Sequence, residues 1–216
     1  MHTLQPFSKG RVFLLGFIII GLLSSYPLAL YLPVWFSWEN GPIENTQAGI
    51  LLAGLVLALC FAVRAKNKTQ RWFWIMVMPF WLIMFARELG WGAVFLPPLY
   101  VDPVSGPIYS SSLQLGYKPV VYPVAGVLLL VSAAVFLLTR QYQSLVKIWR
   151  CGVFPWLELL LVVVGAVLST IAEGHGGVAL NLGDGILQLL EELSELWAYA
   201  ALFAAQLRVS QGSWHG

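Results

Sequence analysis

The stretch VFLLGFIIIGLLSSYPLALY, residues 12–31, runs for twenty residues without a charged side chain. A helix needs roughly 17–25 apolar residues to cross the hydrocarbon core of a bilayer, so this stretch predicts a transmembrane helix. A cleavable signal peptide is not expected, because its apolar region is only about 7–15 residues long and ends at a small-residue cleavage motif. The first helix is therefore predicted to remain in the membrane as an anchor.

Apolar runs of similar length recur along the whole chain. They predict an all-α, polytopic membrane protein whose single domain, residues 1–216, is a bundle of six transmembrane helices. The predicted spans are 12–32, 46–64, 72–94, 119–139, 152–172 and 184–207. Between the third and fourth spans, residues 91–118 carry four prolines and three tyrosines without helical periodicity. This segment is predicted to be an extracytoplasmic loop, either a lid over the outer mouth of the bundle or an aromatic loop at the interface.

The composition excludes several classes of protein. Hydrophobic residues make up 59% of the chain and charged residues 10%, and the mean hydropathy is +0.78. Soluble domains carry about 25% charged residues, so a soluble globule, a disordered chain and a coiled coil are all excluded. A net charge of +2 is too small for a surface that follows nucleic-acid phosphates.

The basic residues predict the orientation of the spans. Ten of the twelve Lys and Arg residues fall on one side of the six-span arrangement, and Arg87 and Lys118 do not. Loops rich in Lys and Arg stay in the cytoplasm. We therefore predict a multi-pass protein of a bacterial-type inner (plasma) membrane, with both termini cytoplasmic.

The acidic residues are distributed in the opposite way. Of the ten, all except Glu158 fall in extracytoplasmic segments or in the outer half of the bundle. Glu191, Glu192 and Glu195 lie in one turn of the sixth span, and Glu195 is about 16 Å below Asp184 at a rise of ~1.5 Å per residue. A charge near the bilayer centre costs at least ~2.5–3.5 kcal/mol, so these three carboxylates are predicted to face the bundle interior as a functional site.

Other polar residues are predicted to meet this triplet. Arg87 has no acidic residue three or four positions away, so its counter-ion is expected on another helix, with the sixth span as the donor. Glu88, Glu44 and the loop residues Glu173 and His175 lie in the same outer layer. The predicted catalytic residues are Glu191, Glu195, Glu192, Arg87 and Glu88. The predicted metal ligands are Glu191, Glu195, Glu173, His175 and Glu44, because carboxylate and imidazole groups suit a divalent metal ion.

Three functions of different classes fit this pattern. The first is a membrane-embedded enzyme that acts on a lipid or lipid-linked substrate, with a divalent cation or a carboxylate acid–base pair. The second is a proton or cation transporter that uses the acids of the sixth span. The third is a non-catalytic membrane subunit that assembles as a homo- or hetero-oligomer. The chain contains no Walker, Gly-x-Ser-x-Gly or His-Glu-x-x-His motif that would name a reaction.

Overall fold

The computed structural model describes residues 9–175 and 180–212. Residues 1–8 and 213–216, which belong to the predicted cytoplasmic termini, lie outside this range. The described chain is almost entirely helical, which confirms the all-α prediction. Its helices are α1 (Lys9–Tyr31), α2 (Pro42–Arg64), α3 (Lys68–Glu88), α4 (Ser111–Gln114), α5 (Lys118–Leu138), α6 (Gln141–Arg150), α7 (Trp156–Ala172) and α8 (Asp184–Ser210). Two strands, β1 (Tyr100–Asp102) and β2 (Gly106–Ile108), form an antiparallel hairpin.

Three described segments are long and apolar enough to cross a membrane: Lys9–Tyr31, Val34–Arg64 and Lys118–Leu138. The second includes the short 3₁₀ turn Val34–Ser37 that precedes α2. Trp156–Ala172 is also apolar but shorter. The chain is thus a helical membrane protein. α3 and α8 carry more polar side chains, and they are held within the bundle by contacts with the other helices.

α8 is the central helix of the bundle. It packs against α7, α1 and α2, while α3 packs against α2 and α5. α7 and α8 approach closely at Gly165, where a Cβ would lie 2.8 Å from the carbonyl oxygen of Ser194. Small residues at such positions allow transmembrane helices to approach closely, because packing rather than water exclusion holds them together.

The third predicted span, 72–94, extends past the C-terminal end of α3. α3 ends at Glu88, and a 3₁₀ segment, Gly90–Phe95, follows it. Gly90, Trp91 and Gly92 all have positive φ angles, which an α-helix does not permit. Arg87 and Glu88 are consequently in the last turn of α3.

The segment 91–118 is structured. Trp38 packs on Gly106 of the hairpin, where an added Cβ would come within 2.3 Å of the indole, and its Nε1 donates to the carbonyl oxygen of Val104 at 2.8 Å. The backbone N–H of Tyr109 donates to Glu39 at 2.8 Å. These contacts fasten the hairpin to the segment before α2. We call this end of the bundle, where α1, α3 and α7 end and α2 and α8 begin, the hairpin end.

Residues 141–150 form a helix, α6, where the sequence predicted only a basic loop. Gln141, Ser144 and Ile148 are its buried positions, and the Gln141 amide donates to the Thr69 carbonyl oxygen at 3.2 Å. This face packs against the start of α3. Ten residues are too few to be read as a span, which explains why the hydropathy pattern did not reveal the helix.

Candidate functional site

A tyrosine joins two carboxylates at the hairpin end of the bundle. The hydroxyl of Tyr199 on α8 lies 3.2 Å from Oε2 of Glu88 on α3 and 3.4 Å from Oε2 of Glu195, one turn earlier on α8. The hydroxyl of Ser169 on α7 donates to the other oxygen of Glu195 at 3.1 Å. Three helices therefore place their polar side chains around one carboxylate.

Arg87 contacts the same carboxylate from α3. Its Nη2 lies 3.9 Å from Oε1 of Glu195, and its side chain is 68% exposed. The predicted counter-ion on the sixth span is thus Glu195. At this distance and exposure the pair adds little to stability, because solvent-exposed ion pairs contribute about 0–1 kcal/mol. The pair instead positions a guanidinium at the exposed edge of this group of side chains.

Glu192 belongs to the same layer and is held from α2. The Gln47 amide, which is completely buried, donates to the backbone oxygen of Glu192 at 2.8 Å and to its Oε2 at 3.1 Å. Glu44, one turn earlier on α2, accepts a hydrogen bond from the backbone N–H of Asn40. The carboxylates of Glu44, Glu88, Glu192 and Glu195 interact electrostatically across the three helices. We call these four residues the carboxylate cluster.

Glu191 faces a different set of neighbours. It interacts electrostatically with Glu173, His175 and Arg87 as well as with Glu195. Nδ1 of His175 lies 3.0 Å from Oε2 of Glu173, and both side chains are at least half exposed. Glu191 therefore connects the carboxylate cluster to the exposed pair at the end of α7.

Two further acids, Glu39 and Asp102, lie in the segments around the carboxylate cluster. The half-buried Glu39 carboxylate accepts the hydrogen bond from the backbone N–H of Tyr109. Hydrogen bonds from the backbone N–H groups of Ser105 and Val104 lower the pKa of Asp102. Asp102 thus stabilises the hairpin turn and lies apart from the carboxylate cluster.

The predicted metal ligands are divided between two places. Glu44 and Glu195 belong to the carboxylate cluster, whereas Glu173 and His175 pair with one another at the surface. Glu191 lies between these two places and interacts electrostatically with both. Within residues 9–175 and 180–212, no three His, Cys, Asp or Glu residues form a group that could hold a metal ion. A metal site at this end of the bundle stays a prediction.

Three contacts were not predicted from the sequence. Tyr199 lies on the same side of the sixth span as Glu191 and Glu195, but its place between two carboxylates depends on where α3 ends. Ser169 gave no signal, because serine is common in apolar helices. Glu158 forms a bidentate ion pair with Arg11, at 2.7 and 3.0 Å. Because Glu158 was the single acid predicted on the cytoplasmic side, a basic partner on that side could have been predicted for it.

The middle of α8 is apolar. The described residues from Ala200 to Ala205 are apolar, and Ala201 is completely buried. Beyond them the Gln206 side chain accepts from the indole N–H of Trp81 and donates to the carbonyl oxygen of Gly54 at 2.9 Å. The carboxylate cluster is therefore separated from the opposite end of the bundle by an apolar layer.

Comparison with known proteins gives no relative. No protein-family model, curated protein or solved structure matches the chain. Any function must therefore be argued from the site itself.

Proposed function

We propose that the chain is a membrane-embedded enzyme that acts on a lipid or lipid-linked substrate, with Glu195 and Glu88 as its acid–base pair. The observation that carries the proposal is the Tyr199 hydroxyl, which lies within hydrogen-bond reach of both carboxylates. Two carboxylates linked by one hydroxyl can pass a proton between them. Acid–base catalysis of this kind contributes about 10²–10⁴-fold to a rate.

The surroundings suggest different roles for the two carboxylates. Glu195 has Arg87 and Ser169 as partners, so a positive charge and a hydroxyl are available to its ionised form. We assign Glu195 as the base. Glu88 is 8% exposed and is bonded to Tyr199, and we assign it as the acid. The exposed Arg87 side chain is suited to hold a negatively charged headgroup beside these two carboxylates.

An apolar groove supports a lipid as the substrate. Residues of α3, α7 and α8 line a cavity of about 370 Å³ that includes Phe73, Met84 and Leu202. Met84 lies one turn before Glu88, and Leu202 lies one turn after Tyr199, so the groove leads directly away from the acid–base pair. From Phe73 to Met84 it extends about 16 Å along α3, close to the ~15 Å thickness of one hydrocarbon leaflet. An acyl chain in this groove would leave its headgroup at Glu195.

The proposal includes the finer topology. Six spans, with both termini in the cytoplasm of a bacterial-type inner membrane, place the hairpin end outside and the ion pair of Arg11 with Glu158 inside. The distribution of basic residues supports this orientation. The substrate then reaches Glu195 from the outer leaflet, beneath the hairpin and the 3₁₀ segment that follows α3.

The two other functions receive less support. A proton or cation transporter needs a polar path beyond Tyr199, but the described residues from Ala200 to Ala205 are apolar. A non-catalytic subunit does not require a hydroxyl shared between two carboxylates. A divalent cation bound near Glu195 remains part of the enzyme proposal, and metal analysis of the purified protein, with Glu195→Gln as the comparison, tests it.

The acid–base proposal is tested by lipid analysis of a deletion strain of the source organism. The strain is complemented with the wild type, Glu195→Gln, Tyr199→Phe or the control Asp184→Asn, which changes an exposed acid at the start of the same helix. Mass spectrometry of total lipids and lipid-linked glycans should show one species that depends on the wild type and the control. Glu195→Gln should abolish its conversion, and Tyr199→Phe should slow it about 10²-fold. Equal profiles for the wild type and Glu195→Gln, at equal protein levels, would refute the proposal.

A further inference from the structure

A second polar site lies at the end of the bundle opposite the hairpin, where α1 and α7 begin and α8 ends. Arg11, Glu158 and Arg208, one from each helix, line a cavity of about 160 Å³ there. Apolar residues form most of its remaining wall, and the exposed Gln211 is at its edge. The cavity is several times larger than the ~30 Å³ that a water molecule occupies in the liquid. It has room for a small polyatomic ion.

The charges in this cavity do not balance. Glu158 accepts from Nε and Nη2 of Arg11 at 2.7 and 3.0 Å, so these two residues form a bidentate ion pair. Arg208 is 7% exposed and donates from Nη2 to the carbonyl oxygen of Gly152 at 2.9 Å. Within the described part of the chain no carboxylate lies within ion-pair distance of Arg208. Among the described residues that line the cavity, the charged side chains are Arg11, Glu158 and Arg208, and their formal charges sum to +1.

Arg208 also has an unused donor. Its Nε is buried, and among residues 9–175 and 180–212 it has no hydrogen-bond partner. A buried charged donor without an acceptor is expensive, because it has lost its water and received nothing in exchange. The electrostatic repulsion between Arg208 and Arg11 adds to this cost. An anion with several acceptor oxygens would remove both penalties.

We propose that this cavity binds a phosphate group, with Arg208 as its main ligand and Arg11 as the second positive charge. A guanidinium presents its N–H groups in a planar fork that matches two phosphate oxygens, whereas chloride offers no such match. The phosphate group comes either from inorganic phosphate or from the headgroup of a lipid in the adjacent leaflet. Both sources present the same oxygens, and they differ in whether acyl chains accompany them. The site is independent of the carboxylate cluster.

The full-length protein, purified in a nonionic detergent and freed of lipid, allows both sources to be measured. In the first arm, thermal unfolding is followed with increasing inorganic phosphate, and chloride keeps the ionic strength constant. A ligand that binds only the folded state raises the unfolding temperature as its concentration increases. In the second arm, native mass spectrometry counts bound phosphatidic acid, with diacylglycerol as the lipid that lacks a phosphate.

Arg208→Gln should abolish the response in whichever arm the wild type is positive. Arg208→Lys keeps the charge but loses the planar fork, so it should weaken binding about ten-fold. Arg150→Gln removes an exposed positive charge on α6 and should leave binding unchanged. If Arg208→Gln does not fold, Ala204→Leu, which reduces the cavity and keeps Arg208, should weaken binding instead. A wild type that responds to neither ligand, or a response that survives Arg208→Gln or that chloride reproduces, would overturn the proposal.

Discussion

The ion pair between Arg11 and Glu158 allows a sharp test of the packing of α1 against α7. Its side chains are 12% and 1% exposed, and two hydrogen bonds join them. Glu158→Gln preserves the volume but removes the negative charge that pairs with Arg11. Breaking a buried pair in this way costs about 3–5 kcal/mol, mostly from the charge left uncompensated. For a domain of this size the expected decrease in unfolding temperature is roughly 6–20 °C, at about 2–4 °C per kcal/mol.

The matched comparison is Arg87→Gln at the other end of the bundle. There the ion pair is longer, 3.9 Å, and the arginine is 68% exposed, so its loss should cost less than about 1 kcal/mol. Unfolding in mixed micelles, followed by tryptophan fluorescence, measures both variants under one set of conditions. The double variant of Arg11→Gln with Glu158→Gln should recover part of the loss. Equal effects of Glu158→Gln and Arg87→Gln, or a loss below about 1 kcal/mol for Glu158→Gln, would refute the assignment of a buried pair.

Three further outcomes are expected. Gly165→Ala should destabilise the protein by about 1–3 kcal/mol, because the added Cβ enters the contact between α7 and α8. Gly49 has open space around it, so Gly49→Ala should be neutral or stabilising in the same unfolding assay. The lowered pKa of Asp102 means that the turn hydrogen bonds are present above its ordinary pKa of 3.8 and are lost as the pH falls through the lower folded value. In an NMR titration the shifts of the turn amides should have their midpoint below pH 3.8, and a midpoint above pH 3.8 would contradict this. Reporter fusions should be cytoplasmic after Lys68 and extracytoplasmic at Asp102, and the reverse result would contradict the six-span topology.

The sequence alone predicts the features that depend on residues close together along the chain. Apolar runs such as 12–31 predict membrane helices from composition alone, since the bilayer imposes the same requirement on every span. The acidic stripe of α8 was also readable, because helical periodicity places Glu191, Glu195 and Tyr199 on one side. The pairing of Arg87 with α8 followed by elimination, since its own helix offers no acidic partner.

The features that only the tertiary structure decided depend on which helices are neighbours and on where each helix ends. Tyr199 meets Glu88 in the last turn of α3, and a local pattern could not show that the helix ends there because Gly90, Trp91 and Gly92 adopt positive φ angles. α6 exists as a helix because its buried face packs at the start of α3, although its sequence is too short and polar to be read as a span. The contact of Arg11 with Glu158, 147 positions apart, depends on α1 and α7 beginning at the same end of the bundle. Hydropathy predicts which helices enter the membrane, but it leaves the angular position of a helix about its axis undetermined. Side-chain packing around α8 sets that angle, and it decides which polar groups meet.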